Sequence, residues 1–366
     1  ALLPILLTGT LAAAMRNAGV FTVIALHLIA LPLVIWLLGY VYKPVFLERT
    51  VLPASFGAAL EPGDSLSPQE MLRRADVALY AAKAAGSNCF EIYAPDMDRN
   101  RRDKRTLEVD LRHALISDTG LFLLYQPVFD ARTGKIVGAE ALVRWLHPTR
   151  GYLAPDVFIG IAEETGIIDA LGLWVLDQAS RFAAASGLCR IAVNVSPIQF
   201  LDSAFNDHVL QTLRRHDLAP SRLELEITEG LLLQNSSQVR QTLVQLRNAG
   251  ASIALDDFGT GYSSISYLRT HNVDKLKIDQ SFTRLMNDDQ PTQAIVRSVI
   301  EMAHALGMSV TAEGVEDESQ RRLLQALGCN YLQGYLLSRP VTGERLIELL
   351  AADQAAPVLP AAEKTA

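Results

Sequence analysis

From Leu121 to Leu350 the chain alternates short apolar runs with longer stretches of helical periodicity. The apolar runs predict these strands: Leu121–Pro127, Ile136–Trp145, Arg190–Val195, Arg222–Ile227, Ser252–Leu255, Lys275–Ile278, Ser309–Ala312 and Tyr331–Gln333. Helices are predicted between most of them: Pro155–Glu164, Ala170–Ser186, Asp202–His216, Ser237–Ala249, Pro291–Leu306 and Ser319–Ala326. Because strands that alternate with helices build a parallel sheet with helices outside, this pattern constrains the fold more than any other feature.

The number of predicted strands distinguishes two α/β architectures. Eight such strands in about 230 residues fit a (β/α)8 TIM-like barrel. An open doubly wound sheet is the alternative, but no GxGxxG segment follows the first strand, which disfavours a dinucleotide-binding fold. We therefore expect an α/β barrel over residues 119–355.

Polar residues recur at the ends of the predicted strands, where a parallel barrel has its functional face. They are Gln126, Glu140, Asn194, Glu226, Asp256, Asp257, Lys277, Glu313 and Gln333. Polar groups at the ends of apolar strands cost free energy when they are buried without partners. A single acidic strand end is readily explained as a loop cap, whereas a ring of polar strand ends predicts a site.

Six members of this ring carry the hard oxygen donors that Mg²⁺ or Mn²⁺ prefers. They are Glu140, Asn194, Glu226, Asp256, Asp257 and Glu313. The adjacent carboxylates of Asp256 and Asp257 repel each other unless a cation lies between them, although on their own they are equally typical of a turn. The whole set is large enough for two ions, which would suit an in-line displacement at phosphorus.

Two basic residues complete the predicted site. Lys277 is the cation of the ring and has several candidate roles: to orient or deprotonate a nucleophilic water, or to stabilise developing charge. The alternative for Lys277 is a structural salt bridge to Asp279 or to a ring carboxylate. Arg144 follows Glu140 by four residues and would hold a phosphate oxygen.

Composition excludes several other classes of protein. A net charge of −7 over 366 residues disfavours a general nucleic-acid binder, so no nucleic-acid polymer is expected as a partner. The cysteines Cys89, Cys189 and Cys329 are scattered and form no CxxC or Cys/His cluster. Neither a zinc site nor a disulfide framework is therefore indicated.

The ordered motifs around the ring resemble those of the EAL-domain cyclic-di-GMP phosphodiesterases over about residues 105–350. The matching segments are Tyr125–Pro127, Glu140–Trp145, His147–Pro148, Asn194–Ser196, Glu224–Glu229, Asp256–Ser264, Lys277–Phe282, Glu313–Glu316 and Gln333–Tyr335. The tripeptide Glu-Ala-Leu at residues 140–142 is weak evidence by itself, but the complete ordered set is specific. The resemblance implies a barrel that hydrolyses cyclic di-GMP to linear pGpG with two Mg²⁺ or Mn²⁺ ions.

The resemblance also implies a role for each site residue. One metal would be held by Glu140, Asn194, Glu226 and Asp256, and the second by Asp256 and Asp257, with Glu313 supporting the centre. Lys277 would act on the attacking water, and we group it with Glu140 and Asp257 as catalytic. The substrate contacts would be Gln126, Arg144 and Gln333.

A loop and an assembly state follow from the same resemblance. Glu229 would tether the loop Phe258–Ser264, which in this family is thought to link the dimer interface to the metal site. A homodimer through this domain is therefore expected. Two other functions stay open: a non-catalytic receptor for cyclic di-GMP, and an unrelated metal-dependent barrel lyase or aldolase with Lys277 as a Schiff base. The complete acidic ring favours the phosphodiesterase over both.

The first fifty residues are strongly apolar. Val20–Tyr42 carries no charged residue over 23 positions, and about 20 apolar residues span a bilayer. We interpret residues 1–50 as membrane-associated, with a buried helix as the alternative. Lys43 and Arg49 follow the apolar run and favour a cytoplasmic location for the rest of the chain, at the inner membrane. Without insertion, the protein would be cytoplasmic.

Residues 51–95 resemble the end of a GGDEF, or diguanylate cyclase, domain. The resemblance rests on Leu72–Lys83, on Gly86–Asn88 and on the preceding Ala54–Ala59. The Gly-Gly-Asp-Glu-Phe signature is absent, so cyclase activity is not expected. We predict a connecting helix over residues 96–118 and a disordered tail over residues 356–366.

Overall fold

The computed structural model describes residues 54–60, 67–84, 88–233, 237–259 and 273–355. They belong to two compact units, which divide between Arg101 and Arg102. The predicted membrane segment Val20–Tyr42 and the predicted tail 356–366 lie outside the described residues. Within the described ranges, no helix combines the length and the apolarity that a membrane crossing requires.

The first unit contains a small strand–helix–strand arrangement. β1 (Phe56–Ala58) pairs in parallel with β2 (Phe90–Ile92), and α1 (Pro68–Ala84) connects them in the sequence. Gly57 permits close packing of helix and strand, because a Cβ there would lie 2.0 Å from the backbone nitrogen of Leu79. That this unit is a GGDEF remnant stays a prediction.

Helix α2 (Pro95–Ser117) covers the predicted connecting segment and leads into the second unit. There its residues Leu107, Leu111 and Ala114 are buried in the hydrophobic core. The strands of this unit are β3 (Leu121–Asp130), β4 (Ile136–His147), β5 (Gly151–Leu153), β6 (Ile191–Asn194), β7 (Leu223–Thr228), β8 (Ser252–Phe258), β9 (Lys275–Ile278), β10 (Ser309–Ala312) and β11 (Tyr331–Leu332).

Eight of these strands close into a barrel, which confirms the predicted TIM-like fold. The order of hydrogen-bonded neighbours is β3, β11, β10, β9, β8, β7, β6, β4, and pairing of β3 with β4 closes the ring. The short strand β5 extends the end of β4 as an antiparallel hairpin outside the ring. All pairings from β4 through β6 to β11 are parallel.

The expectation of an entirely parallel sheet is wrong for the first barrel strand. β3 runs antiparallel to both of its neighbours, β4 and β11. The cause is the short connection after Asp130, because a parallel crossover needs about a dozen residues whereas an antiparallel pair needs only a tight turn. Gln126 and Glu140 therefore lie within their strands, directly opposite each other, and not at strand ends.

The helices of the second unit surround the barrel. Among the described residues after α2 they are α3 (Pro155–Glu164), α4 (Ile168–Ser186), α5 (Phe205–Arg215), α6 (Glu229–Leu233), α7 (Ser237–Asn248), α8 (Gln280–Leu285), α9 (Gln290–Ala305), α10 (Glu318–Ala326) and α11 (Gly343–Ala355). Their apolar faces pack against outward-facing strand residues such as Leu225 and Ile227, which belong to the same buried core.

The interior of the barrel is polar where β7 faces β9. The side chains of Glu224 and Glu226 on β7 do not join the outer apolar core. Glu224 contacts Lys275 and Glu226 contacts Lys277, both on β9. β8 separates these two strands in the sheet. Ala254 of β8 pairs in register with both Glu226 and Lys275. Its small side chain leaves room for the glutamate and lysine side chains to meet in front of β8.

Candidate metal-dependent site

A buried lysine surrounded by carboxylates forms the centre of the site. Lys277 Nζ lies 2.7 Å from Glu226 Oε2 and 2.7 Å from Glu313 Oε1. Asp256 Oδ1 is 3.1 Å away and Glu140 Oε2 is 3.6 Å away. β4, β7, β8, β9 and the residue after β10 thus bring together five groups that are far apart in the sequence.

The carboxylates decide the protonation of Lys277. Burial would lower the pKa of its ammonium, but Glu140, Glu226, Glu313 and Asp256 outweigh burial and hold that pKa well above its ordinary value. Of the two alternative salt bridges for Lys277, the one to ring carboxylates is formed, whereas the one to Asp279 is not. Asp279 instead caps α8 and accepts a hydrogen bond from Ser281 N at 2.9 Å. Lys277 is therefore a fixed positive charge at the centre of the site.

Glu140 is held by two amides. Asn194 Nδ2 donates to Glu140 Oε1 at 2.7 Å, and Gln333 Nε2 donates to Glu140 Oε2 at 2.8 Å. Burial raises the pKa of Glu140, but Lys277 and these two hydrogen bonds outweigh it, so the net pKa is lowered. Because Asn194 uses its nitrogen here, its amide oxygen stays available as a ligand.

The other buried acids have the opposite shift. Burial and the neighbouring charge of Glu140 raise the pKa of Glu226 well above its ordinary value, despite Lys277. Burial raises the pKa of Glu313 to about 8, with Lys277 opposing and Asp256 adding to the shift. Without a further cation, this cluster therefore retains protons that isolated carboxyls would lose near neutral pH.

The two adjacent aspartates lie in a bulge of β8. The register between β8 and β9 shifts between Leu255 and Phe258, and Asp257 has a positive φ of 54°. The extra residue breaks the strict alternation of side chains, so both aspartates reach the same region. Burial and then the charge of Asp256 raise the pKa of Asp257.

These aspartates meet Glu313 in a group that suits a metal ion. One ligand oxygen from each of Asp256, Asp257 and Glu313 lies within 4.8 Å of the others. The site has five carboxylates and one ammonium, that of Lys277, so its net charge is −4 when all of them are ionised. The carboxylates are those of Glu140, Glu226, Asp256, Asp257 and Glu313. Two divalent cations would balance that charge, and the oxygen donors are those that Mg²⁺ and Mn²⁺ prefer.

A cavity of about 310 Å³ opens above the cluster. Its lining includes predicted site residues, namely Gln126, Glu140, Asn194, Asp256, Lys277, Glu313 and Gln333. The lining also includes residues to which the sequence assigned no role: Leu142, Gln280, Gly314, Glu316, Gly334 and Tyr335. Tyr335 follows the predicted contact residue Gln333 by two positions and belongs to the same matching segment, Gln333–Tyr335. This proximity was the sequence signal that could have indicated a place for Tyr335 in the cavity wall.

The predicted substrate contacts differ in their positions. Gln333 is buried, and its Oε1 has no hydrogen-bond partner among the described residues. Gln126 Nε2 donates to Ser338 O at 3.4 Å across the cavity wall. Arg144 lies on β4 beyond Leu142 on the same strand face, and its guanidinium donates to Val143 O at 2.8 Å. Arg144 does not contribute to the cavity lining in this conformation.

Glu229 accepts a hydrogen bond from the segment after the aspartates. Gly259 N donates to Glu229 Oε1 at 3.0 Å. Gly259 has a φ of 100°, and a Cβ there would lie 2.7 Å from the ring of Phe282. The rest of the predicted loop, residues 260–264, lies outside the described residues.

The fold and the site together define a TIM-like α/β barrel with a carboxylate-rich, candidate metal-dependent centre. A family model described as EAL domain matches residues 108–340, which is more than half of the chain. The chain belongs to the EAL domain family.

Relatives of the chain are named for cyclic di-GMP. MucR of Pseudomonas aeruginosa, a bifunctional diguanylate cyclase/cyclic di-GMP phosphodiesterase, is 40% identical over 305 residues, which cover 82% of this chain and 44% of MucR. The cyclic di-GMP phosphodiesterase NbdA of the same organism is 40% identical over 317 residues, covering 85% of this chain and 40% of NbdA. The chain thus spans less than half of the length of either relative.

A solved structure shares the barrel. It is described as PaMucR phosphodiesterase in complex with c-di-GMP, and it is 41% identical to this chain. The match covers 66% of this chain and 99% of that one, with a TM-score of 0.63. At 41% identity, the similarity supports membership of the same family and not only a shared fold.

Proposed function

We propose that this protein hydrolyses cyclic di-GMP to linear pGpG with two divalent cations. The observation that carries the proposal is the buried Lys277 within 3.6 Å of four carboxylates, beside the aspartate pair of β8. Membership of the EAL domain family and the names of its relatives support this substrate.

The donor set suggests which residues would hold the cations. Glu140, Asn194, Glu226 and Asp256 would bind one ion, and Asp256 and Asp257 would bind the second, with Glu313 beside them. Bound there, Mg²⁺ or Mn²⁺ would lower the pKa of a water and offset the charge of the phosphate. Calcium would inhibit, because it prefers looser coordination with more ligands.

Lys277 would act as an ammonium and not as a nucleophile. Its raised pKa makes it a hydrogen-bond donor that orients a water or stabilises negative charge on the phosphate. A Schiff base would require a neutral amine, so this environment disfavours a lyase or aldolase. Gln126 and Gln333 would bind the phosphodiester from the cavity wall, and Arg144 would join them by a rotamer change.

The competing function is a receptor that binds cyclic di-GMP without cleaving it. The donors Glu140, Asn194, Glu226, Asp256, Asp257 and Glu313 are all present, and all but Asn194 and Asp257 are at least partly buried, which favours catalysis. Dimerisation through this domain and membrane association through residues 1–50 stay predictions.

One experiment distinguishes enzyme from receptor. The full chain is incubated with cyclic di-GMP and Mg²⁺ or Mn²⁺, and the linear product is followed by chromatography. We expect pGpG with either ion and none with a chelator. Tight binding of cyclic di-GMP without product, under either ion, would establish the receptor instead.

A further inference from the structure

A second buried ion pair lies at the opposite end of the barrel from the candidate site. Lys275 Nζ donates to Glu224 Oε1 at 2.7 Å, and the two residues are 4% and 3% exposed. Each lies two residues before its counterpart, Lys277 or Glu226, toward the amino-terminal end of its strand. The proposed reaction uses neither of them.

This ion pair borders a cavity of about 180 Å³. Part of its wall is apolar, from Val128, Val137, Gly138, Ala139 and Ala192. The rest comes from Cys189, Arg190, Glu224, Lys275 and Tyr331. A cavity of about 150 Å³ admits a molecule the size of benzene, so this one has room for a small organic ligand.

A second, larger cavity adjoins this one. A neighbouring cavity of about 550 Å³ shares Arg190 and Tyr331 with it. Its other charged residues neutralise each other, because Arg247 forms hydrogen bonds of 2.6 Å and 3.0 Å with Asp274. Arg190 and Tyr331 thus stand between the inner cavity and the outer one.

The charges around the inner cavity do not balance. Arg190 and Lys275 face the single carboxylate of Glu224. Among the described residues, the Arg190 guanidinium makes one side-chain hydrogen bond, of 3.4 Å to Glu224 Oε2, and its side chain is 39% exposed. One positive charge is left for a ligand, and an arginine fork is suited to a carboxylate.

We propose that this cavity binds a small monocarboxylate with a short apolar chain. The carboxylate would contact Arg190 and Lys275, whose ammonium lies between Glu224 and the Tyr331 ring, 4.7 Å from the ring centroid. The apolar chain would lie against Val128 and Ala192. Inorganic phosphate fits less well, because its second charge exceeds the single positive charge and the walls are apolar.

Titration calorimetry on the full chain tests the proposal with butyrate and its neutral isostere butyramide. We expect butyrate to bind about tenfold more tightly than butyramide, since hydrogen bonds to a charged group are the stronger ones. Arg190→Gln should weaken butyrate about tenfold. Arg150→Gln is the matched control, because Arg150 is similarly exposed at 34% but pairs with Asp103 elsewhere.

Cys189 provides a local readout that needs no enzyme activity. It is exposed and lines the inner cavity, so bound butyrate should slow its alkylation, as measured by mass spectrometry of its peptide. Equal affinity for butyrate and butyramide, tighter binding of phosphate, or unchanged butyrate binding in Arg190→Gln would each overturn the proposal. None of these results bears on hydrolysis of cyclic di-GMP, so the two proposals fail separately.

Discussion

Lys277 Nζ lies 2.7 Å from Glu226 Oε2 across the intervening strand β8, and both side chains are almost fully buried. Replacement of Lys277 by Met removes the central positive charge while keeping the length of the side chain. We expect turnover of cyclic di-GMP to fall by about 100-fold or more, as for loss of a single transition-state donor, while binding of the dinucleotide is largely kept. Steady-state kinetics and calorimetry measure the two effects.

The control for this variant is Lys104→Met, which removes an ammonium from a surface pair with Glu164 at 3.0 Å. Its kinetics should match those of the unmodified chain. Unchanged turnover in Lys277→Met would contradict the role that we assign to this lysine.

Metal binding should become tighter as the pH rises from about 6 to about 8. The pKa of Glu313 in the folded, metal-free protein is raised to about 8, above its ordinary value of 4.5. The protonated carboxyl therefore contributes stability that is complete below pH 4.5 and is lost as the pH rises through about 8. A cation that binds the ionised Glu313 carboxylate restores the stability that is lost with the proton. At higher pH fewer Glu313 carboxyls carry a proton that the cation must displace, so the metal binds more tightly.

The measurement is the increase in Tm that Mn²⁺ produces at each pH. We expect a larger increase at about pH 8 than at about pH 6. In Glu313→Gln this pH dependence should shrink but not vanish, because Glu313 no longer titrates whereas Glu226 and Asp257, whose pKa values are also raised, still do. A Tm increase that is the same at both pH values in the unmodified chain would show that proton release from Glu313 is not linked to metal binding.

The hydrogen bond between Gly259 N and Glu229 Oε1 should connect the segment after Asp257 to catalysis. Glu229→Ala leaves that backbone N–H without its partner, and we expect a loss of activity of about 10- to 100-fold, comparable to loss of an outer-shell contact at a metal site. Glu229→Gln retains an acceptor oxygen and should recover much of the activity. Equal activities for the Ala and Gln variants would argue that the hydrogen bond is not the reason for the loss.

The cysteines should differ in reactivity because of burial. Burial raises the pKa of the Cys329 thiol to about 12, with hydrogen bonds opposing the shift, whereas Cys189 is exposed. At about pH 8 iodoacetamide should therefore modify Cys189 and leave Cys329 unmodified in the folded chain. Peptide mass spectrometry checks this, and denatured protein, in which both react, is the control. Modification of Cys329 at the rate of Cys189 would contradict its buried position.

Much of the fold could be predicted because each local pattern agrees with the global one. The predicted strands Lys275–Ile278 and Ser309–Ala312 and the helix Pro155–Glu164 have the same bounds in the structure. The direction of β3 was not predicted, although the gap between Pro127 and Ile136 was already too short for a parallel crossover. Strand direction depends on the length of the connection, and the periodicity of the strand itself carries no information about it.

The site was predicted as a set of residues but not as a geometry. Residue type indicated the carboxylates and Lys277, yet the bulge that turns Asp256 and Asp257 to one region depends on a backbone conformation that the sequence does not display. The second ion pair was missed for another reason. Glu224 and Lys275 repeat the spacing of Glu226 and Lys277, and a repeat at every second strand residue was the signal that these side chains also face the interior.

The most direct test of the proposed hydrolysis compares the full chain with Asp256→Asn, at saturating cyclic di-GMP and Mg²⁺, by quantifying pGpG over time. Asp256 Oδ1 lies 3.1 Å from Lys277 Nζ, and Asp256 also belongs to the candidate metal-binding group with Asp257 and Glu313. We predict steady formation of pGpG by the unmodified chain and a rate lower by about 100-fold or more in the variant. Equal rates for the two proteins, or binding of cyclic di-GMP without any pGpG in the unmodified chain, would contradict the account.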